Sequence, residues 1–507
     1  MFLLVAYLTD KSTRMIVDMA SFHPKLQHLG VYTYEDLASI PFGKVGYRMV
    51  LGGMLVLAYG AMVSYLLIIK DTVPVIFGAT NKDGQGDFWE TEFIMTLTSL
   101  IVILPLSLLR DIANLSYTSV LSVTADVLLV VFVILFSPVP STLEENGGLG
   151  NVLKDNWANK RLFIGFGVMS FAMTVQHSAL LLGNSFKDKT PERWAQVTFR
   201  AVALATILCL GMGIFGYLGF LDDTRGNVLK NFDVDSVMAN AGRALLAVTM
   251  FFTYPMEAFV ARHVICQMFY AGDMDGMTVH QETGESVPLP KLCGVFGRRE
   301  KITIVLYLAS LVPALIVDDL GPVLSITGSL GSSIVAYVAC GTVYLGLNGE
   351  AFLEYCKEAL QNHGYKVDKT HKPSEVELPV VGDSKATMTT KNDAQNVQES
   401  TDSIEVASKQ LPQLPTGMKP WWWYLGLFPI WTAIASRGAL NTRSFLENMQ
   451  QQANNEDVVE NFSNEVPPNK FDFYMSMFLI AFGIFATVVG VISNIYVQVN
   501  EVFFTPT

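Results

Sequence analysis

The sequence predicts an all-α polytopic membrane protein. Of its residues, 51% are hydrophobic and only 16% are charged, which is more apolar and less charged than a soluble chain of this length usually is. The apolar residues also form runs of about 17 to 25, the length that a helix needs to cross a bilayer. Ten runs are candidate spans, at 1–20, 49–69, 93–109, 115–136, 162–184, 201–220, 244–266, 302–317, 321–347 and 474–497.

The positive charges indicate the orientation of these spans. The net charge is -12, but 26 of the 34 Lys and Arg residues fall on one side of the membrane when successive loops alternate. Loops rich in Lys and Arg face the cytoplasm, so the loop after the first run is predicted to be cytoplasmic. No basic patch suited to nucleic acid is present, and the predicted partners are the bilayer and a small molecule.

Four regions follow from this pattern. Residues 1–347 form a transmembrane core with nine spans. Residues 348–420 are polar and poor in aromatic residues, which predicts a disordered cytoplasmic loop that could bind a partner. Residues 421–470 open with three consecutive Trp, a residue that favours the bilayer interface. The apolar run at 421–436 is short and contains Pro429, which favours a re-entrant or surface helix over a true span, followed by a loop. Residues 471–507 contain the last span, whose composition predicts a helix facing lipid, and a tail.

Two of the early spans carry ionisable residues. The run at 1–20 contains Asp10, Lys11 and Arg14, so it is a poor membrane helix by itself. The span at 115–136 contains Asp126. A carboxylate at membrane depth is costly, which makes Asp126 a candidate for proton coupling. Near a helix end the same carboxylate can instead face a water-filled vestibule or a polar neighbour, and both interpretations stay open.

The run at 163–186, FIGFGVMSFAMTVQHSALLLGNSF, has the length of a membrane span but carries polar residues that a simple anchor does not need. Ser170, Thr174, Gln176 and His177 donate or accept hydrogen bonds in a medium without water. Such a segment either packs against other polar helices or is interrupted to hold a ligand, as in secondary transporters. We therefore expect the substrate site in this run.

The span at 244–266 contains a predicted defect. Pro255 lacks an N–H and displaces the carbonyl of Phe251, one turn earlier. That oxygen and the Thr253 hydroxyl are two oxygen ligands near one point, and oxygen is the ligand that a hard cation such as sodium prefers. Alternatively, Thr253 bonds within its own helix and Pro255 only bends it. Glu257, one turn after Thr253, is a second candidate for proton coupling.

Four motifs occur in order along the chain. They are GVMSFAMTVQHSALLLGNSF (167–186), GYLGF (216–220), TYPMEAFVAR (253–262), and LGPVL with ITGSLGSS (320–333). Their order and spacing resemble those of the amino acid/auxin permease family, most closely its sodium-coupled neutral amino acid transporters. No single motif is highly specific, but their joint occurrence across several spans makes chance a poor explanation.

The resemblance implies a leucine-transporter-like fold, in which two inverted repeats of five helices enclose a substrate near the middle of the membrane. Family members begin with a helix that a glycine-rich stretch interrupts, whereas 1–20 resembles their second helix, so the repeat is expected to lack its first helix. The run at 162–184 then corresponds to the sixth, and Thr253 to a hydroxyl of the family's cation site. The residues implied at the break and beside it are Val168, Met169, Ser170, Phe171, Thr174, Gln176 and His177.

These observations predict a cation-coupled secondary active transporter of small or medium neutral amino acids. It would reside in the plasma membrane or in a vacuolar or lysosomal membrane. No cofactor is expected apart from the coupling ion, which is sodium, or a proton carried by Asp126, Glu257 or His177. A transport-inactive amino acid sensor or scaffold is a further alternative. An enzyme is not predicted, because His177 and its neighbour Ser178 point to different faces of a helix.

Overall fold

The computed structural model describes residues 1–27, 29–79, 88–109, 116–155, 162–270, 272, 277–279, 286–288, 297–362, 428–453 and 468–504. The chain in these ranges is predominantly helical, apart from one antiparallel hairpin of two short strands, β1 (Met277–Val279) and β2 (Ser286–Pro288). The predicted all-α polytopic membrane architecture is confirmed.

The α-helices of the described ranges follow one another along the chain. They are α1 (Phe2–Ser21), α2 (Tyr34–Ile76), α3 (Phe88–Thr98), α4 (Leu104–Ser107), α5 (Ser116–Phe136), α6 (Val139–Glu145), α7 (Leu149–Asp155), α8 (Leu162–Ala172), α9 (Gln176–Asn184), α10 (Pro191–Phe220), α11 (Val237–Tyr270), α12 (Arg298–Ile316), α13 (Leu320–Thr327), α14 (Cys340–Leu347), α15 (Gly349–Asn362), α16 (Phe428–Ala453) and α17 (Lys470–Phe504). Two π-helical segments, Ser99–Ile103 and Gly328–Ala339, join α3 to α4 and α13 to α14.

Eight helical stretches among the described residues are long and apolar enough to cross a membrane. They coincide with eight of the ten predicted runs. The runs at 1–20 and 302–317 also form helices, α1 and α12, but neither meets this standard. Charges explain both differences: Asp10, Lys11 and Arg14 interrupt the first run, and α12 opens with four charged residues before its apolar part begins.

The interior of the bundle is built around α2. Of its most apolar stretch, 67% is buried by protein, and the value is the same for 320–347, whereas it is only 11% for 191–223. α2 and the segment from α13 to α14 therefore form the interior, and α10 faces outward. Small residues permit their close contact: a Cβ added at Gly60 would lie 2.1 Å from Thr327 Oγ1, and one at Gly331 would lie 2.7 Å from the Leu57 nitrogen.

The first turns of α2 are separated from the rest by a kink at Gly43, where φ is 54° and ψ is -139°. Glycine suits this left-handed conformation because it has no Cβ. α16 packs beside the kink, where Asn441 Nδ2 donates a hydrogen bond of 2.9 Å to the Pro41 carbonyl. At the same end of the bundle, a Cβ added at Gly438 would lie 2.2 Å from Gly346 Cα.

Parts of the regions predicted after residue 347 lie outside the described residues. These parts are 363–427, which include most of the polar loop and the three consecutive Trp, then 454–467, and 505–507 at the end of the tail. α16 is not among the eight apolar stretches, and the interpretation of this region as a re-entrant or surface helix stays a prediction. The last span keeps an exposed apolar side, as its composition predicts, with Phe478, Ile484 and Val488 exposed. However, 44% of its apolar stretch is buried, because α17 packs against the π-helical segment 328–339 and against α8.

We expect Gly60→Ala to destabilise the protein, because the new Cβ overlaps the side chain of Thr327 near its backbone end. Overpacking of this kind costs about 1–3 kcal/mol. The matched control is Gly52→Ala in the same helix, where a Cβ would meet nothing within 4 Å. Thermal unfolding of the purified chain in detergent should show a lower Tm for Gly60→Ala and an unchanged or higher Tm for Gly52→Ala.

Candidate substrate and ion site

The membrane span that contains α8 and α9 is interrupted. Met173, Thr174 and Val175 separate the two short helices. The local sequence favours this break: Thr174 and Val175 are β-branched, and Gln176 Oε1 accepts a hydrogen bond of 2.9 Å from the Val175 N–H. The carbonyl end of α8 and the N–H end of α9 therefore meet near one point, and these ends carry partial charges of opposite sign.

The break lies at the end of the range implied by the resemblance. Val168, Met169, Ser170 and Phe171 still belong to α8, and Thr174 lies in the break itself. The helix continues that far because neither proline nor glycine follows Gly167 in it. Ser170 is fully buried and the other three α8 residues are half-buried, Met169 being packed against an apolar cluster that includes α1 and α17 residues.

Gln176 links the break to α1 by hydrogen bonds. Its side chain is fully buried, and Nε2 donates a hydrogen bond of 2.8 Å to Ser12 Oγ. Because Oε1 is already bonded to the Val175 N–H, both ends of the amide are used within the protein. The geometry thus gives Gln176 a role in holding α9 to α1, in addition to its predicted place beside the substrate.

Several buried hydroxyl groups in α8, and in the two elements packed against α8 and α9, namely α1 and the π-helical segment 328–339, have no hydrogen-bond partner within the described chain. Among the described residues they belong to Thr9, Thr13, Ser170, Ser329, Ser332 and Tyr337. The hydroxyls of Thr9 and Ser170 lie near that of Tyr337, but none of the three is in hydrogen-bonding geometry with another. An unsatisfied buried polar group costs about 1–3 kcal/mol. The cluster therefore has the chemistry of a surface that a polar ligand can satisfy.

His177 and Glu257 form a pair between α9 and α11. The distance from His177 Nε2 to Glu257 Oε1 is 3.7 Å, and the two side chains are 12% and 16% exposed. His177 Nδ1 and Glu257 Oε2 make no hydrogen bond with any described residue. Glu257 does not pair with Arg262, whose guanidinium bonds the Ser107 carbonyl and the Thr303 hydroxyl instead.

The predicted cation ligands lie at the expected defect in α11. Thr253 Oγ1 donates a hydrogen bond of 2.8 Å to the Thr249 carbonyl, as the in-helix alternative requires. This bond uses the hydroxyl hydrogen and leaves oxygen lone pairs. Pro255 lies inside α11, so the Phe251 carbonyl has no N–H at the usual helical position. In the part of the chain that the structure describes, no group of three His, Cys, Asp or Glu could hold a metal ion.

The structure joins these candidates along one face of α11. Thr249, Thr253 and Glu257 recur every four residues, so they share a face and extend over about 12 Å at about 1.5 Å per residue. Asp126 of α5 lies against Thr249 at one end of this row. His177 lies against Glu257 at the other end. Residues from α5, α9 and α11 thereby form one polar row through an apolar bundle.

Some residues of the site do not stand out in the sequence. Thr9 and Thr13 belong to a run with several charges, and Tyr337 belongs to a span whose serines attract attention first. Asn494, which is 2% exposed in α17, does carry a signal. An amide within an apolar run is costly to bury in lipid unless it has a partner, so its presence in 474–497 indicates a contact with protein.

Comparison with known proteins agrees with this architecture. Residues 1–360 match the family described as "Transmembrane amino acid transporter protein". The chain belongs to this family. A relative from Homo sapiens, provisionally named sodium-coupled neutral amino acid transporter 11, is 27% identical over 354 residues, which cover 68% of this chain and 78% of the relative.

Two further relatives are similar over shorter stretches. "Vacuolar amino acid transporter 2" of Saccharomyces cerevisiae is 27% identical over 52% of this chain and 54% of its own length. "Sodium-coupled neutral amino acid transporter 7" of Danio rerio is 26% identical over 60% of this chain and 63% of its own length. Family membership confirms a multi-pass membrane transporter of amino acids and not an enzyme.

We expect Tyr337→Phe to leave the thermal stability of the ligand-free protein unchanged or higher, because it removes a buried hydroxyl that has no partner among the described residues. Tyr34→Phe is the matched control. Its hydroxyl is also buried, but it donates a hydrogen bond of 3.0 Å to the Val335 carbonyl. Loss of that bond should cost about 0.5–1.5 kcal/mol. Equal losses of Tm in the two variants would contradict the assignment of Tyr337 to a ligand-facing cluster.

Proposed function

We propose that the protein is a secondary active transporter that moves a small or medium neutral amino acid by alternating access, coupled to a cation. The observation that carries this proposal is the break between α8 and α9, which lies beside buried hydroxyls without partners in the described chain. A broken helix at membrane depth is tolerated where it lines a cavity or is buried in protein, and this is where secondary transporters bind substrate.

The two helix ends at the break suit the two charges of an amino acid. The carbonyl end of α8 is partially negative and would attract the ammonium group, and the N–H end of α9 is partially positive and would attract the carboxylate. The hydroxyls of Thr9, Ser170 and Tyr337 add neutral donors and acceptors. None of these groups carries a formal charge, which favours a neutral amino acid over an acidic or basic one.

Sodium is the coupling ion that we propose first. The Thr253 hydroxyl and the Phe251 carbonyl supply two oxygens at the defect in α11, and oxygen is the ligand type that hard cations take. The human and Danio relatives carry sodium coupling in their names. A cation that binds one conformation more tightly than the other shifts the population toward that conformation, which is how it would drive loading of the substrate.

A proton is the second candidate, and a specific observation favours it. His177 and Glu257 lie 3.7 Å apart in the interior, each with one polar atom that has no partner among the described residues. A proton taken up by this pair would change its charge at the point where α9 meets α11. Asp126 of α5 lies against Thr249, at the other end of the polar row along α11. These groups would provide a path for a proton between the two sides of the bundle.

The proposed location is either the plasma membrane or a vacuolar or lysosomal membrane. The name of the yeast relative refers to the vacuole. The polar region 348–420 is proposed to contact a cytoplasmic partner. Of this region only the part up to residue 362 is described, most of it as α15.

For sodium coupling, we expect Thr253→Ala to raise the sodium concentration that half-saturates uptake by about tenfold or more, because a contact with a charged group contributes about 1.5–3 kcal/mol. Uptake of radiolabelled L-alanine and L-glutamine by proteoliposomes with an inward sodium gradient measures this. Thr206→Ala is the control, since Thr206 is buried and its Oγ1 makes the same in-helix bond, to the Val202 carbonyl, in α10 and not in α11. An unchanged sodium requirement in Thr253→Ala would refute this ion site.

For proton coupling, we expect a pH gradient to drive uptake in sodium-free buffer and Glu257→Gln to abolish that uptake. The amide keeps the size of the side chain but cannot release or take up a proton at neutral pH. Exchange of labelled for unlabelled amino acid, which needs no net ion movement, should persist in the variant and serves as its control. Binding of the amino acid without uptake under either gradient would support the sensor alternative instead.

A further inference from the structure

The last helix, α17, lies outside residues 1–360 that match the family, yet it reaches the broken helix. Asn494 in α17 is 2% exposed. Its Nδ2 donates hydrogen bonds of 2.8 Å to Ser325 Oγ in α13 and to the Gly490 carbonyl in its own helix. An amide buried at membrane depth needs such partners, so the contact with Ser325 fixes α17 against α13.

Ser325 links Asn494 to α8. Its Oγ donates a hydrogen bond of 2.8 Å to the Ile164 carbonyl, which lies in the first turn of α8. The hydroxyl therefore accepts from Asn494 and donates to Ile164 at the same time. Hydrogen bonds in such chains polarise one another and strengthen the whole chain. The chain of contacts joins the last helix to the first half of the broken helix.

Three glycines allow the helices to approach closely enough for this chain. A Cβ added at Gly328 would lie 1.8 Å from the Gly167 carbonyl oxygen, and one at Gly167 would lie 2.4 Å from the Ser325 carbonyl oxygen. A Cβ at Gly490 would lie 2.0 Å from Ser329 Oγ. That hydroxyl belongs to the unpartnered cluster near the break. A small displacement of α8 or α17 thus changes the space around the cluster directly.

An aromatic contact reinforces the same arrangement. The ring of Phe482 in α17 lies edge-on to Phe166 of α8 and to Tyr337, with centroid distances of 5.1 Å in both cases. Tyr337 carries one of the unpartnered hydroxyls. One face of α17 therefore contacts both α8 and the π-helical segment that faces the break.

We propose that Asn494 is a positioning residue for transport. Through Ser325 it holds the first half of the broken helix in place, and it thereby sets the geometry of the substrate site. This inference rests on the proposed function in one respect, namely that the break binds the amino acid. Asn494 itself does not touch the substrate, and its influence passes through Ser325 and α8.

The test compares Asn494→Ala, Ser325→Ala and the double variant in the full-length chain. Thr487→Ala is the matched control: Thr487 is in α17 too, and its hydroxyl donates only to the Gly483 carbonyl of the same helix. We expect Asn494→Ala to raise the KM for L-glutamine uptake by about threefold or more and the control by less than about twofold. The double variant should match Ser325→Ala alone, because both changes break one chain of contacts.

Hydrogen exchange gives a readout that does not need transport. In detergent, peptides that cover 162–172 should exchange amide hydrogens several-fold faster in Asn494→Ala than in the parent or the control, because α8 loses an anchor. Thermal unfolding checks that each variant is folded. If Asn494→Ala does not fold, Ser325→Ala is a smaller deletion from the same chain of contacts and is tested in the same way.

The outcomes separate this inference from the proposed function. Faster exchange in α8 together with a raised KM supports the positioning role. Faster exchange with an unchanged KM, or no change in either measurement, overturns it. If the substitution speeds exchange in α8 but the parent takes up no neutral amino acid under any gradient, the proposed transport fails while the contact from Asn494 to α8 stands. The inference is also overturned if the effects of Asn494→Ala and Ser325→Ala are non-additive in thermal stability but not in KM.

Discussion

The interruption of a membrane-spanning helix is the constraint on which the rest of the structure depends. Helical backbone groups satisfy one another, but those at a break have lost their usual partners in a medium without water. Neighbouring helices must therefore surround the break and supply polar contacts. The chain does this with the amide of Gln176, which bonds both the break and α1, and with the Thr174 hydroxyl, which donates to the Ser170 carbonyl. The unpartnered hydroxyls of α1, α8 and the segment between α13 and α14 make no such contact with the described chain and are available to a ligand.

Close approach of these helices is possible because the interior is built from small residues. Gly60 and Gly331 bring α2 against 320–347, while Gly167 and Gly328 bring α8 against the same segment from the other side. Helices in lipid associate through such packing and through polar contacts, since the lipid is as apolar as their own side chains. The segment 320–347 thus packs between the central helix α2 and the first half of the broken helix, α8. A movement of either helix would change the space around the hydroxyl cluster.

The row of polar residues on α11 determines which coupling ion could bind next to the broken helix. Thr253 and Glu257 lie one turn apart on one face, so an ion ligand and a titratable group are close neighbours. His177 links the row to α9, the second half of the broken helix. Either a sodium ion or a proton bound here would act next to the element that is proposed to hold the amino acid. Coupling between ion and substrate would then require only short-range contacts.

The sequence alone was enough for the class of fold, most spans and the defect at Pro255, because each depends on hydropathy over a single run or on the covalent structure of one residue. For the run at 163–186 it left two alternatives, a polar packed helix or an interrupted one, and the structure shows the interruption. It was also enough to single out His177, Thr253 and Glu257 as polar groups at membrane depth. It was not enough for the partners of those groups. Glu257 pairs with His177 and not with the nearer-in-sequence Arg262, and α17 turns Asn494 inward to Ser325 although its composition indicates a helix facing lipid. These partners are separated by 80 and 169 residues in sequence. Helix packing brings them together, and the rotation and approach of each helix depend on the small residues of its neighbours. Only the tertiary structure therefore decides which polar groups pair.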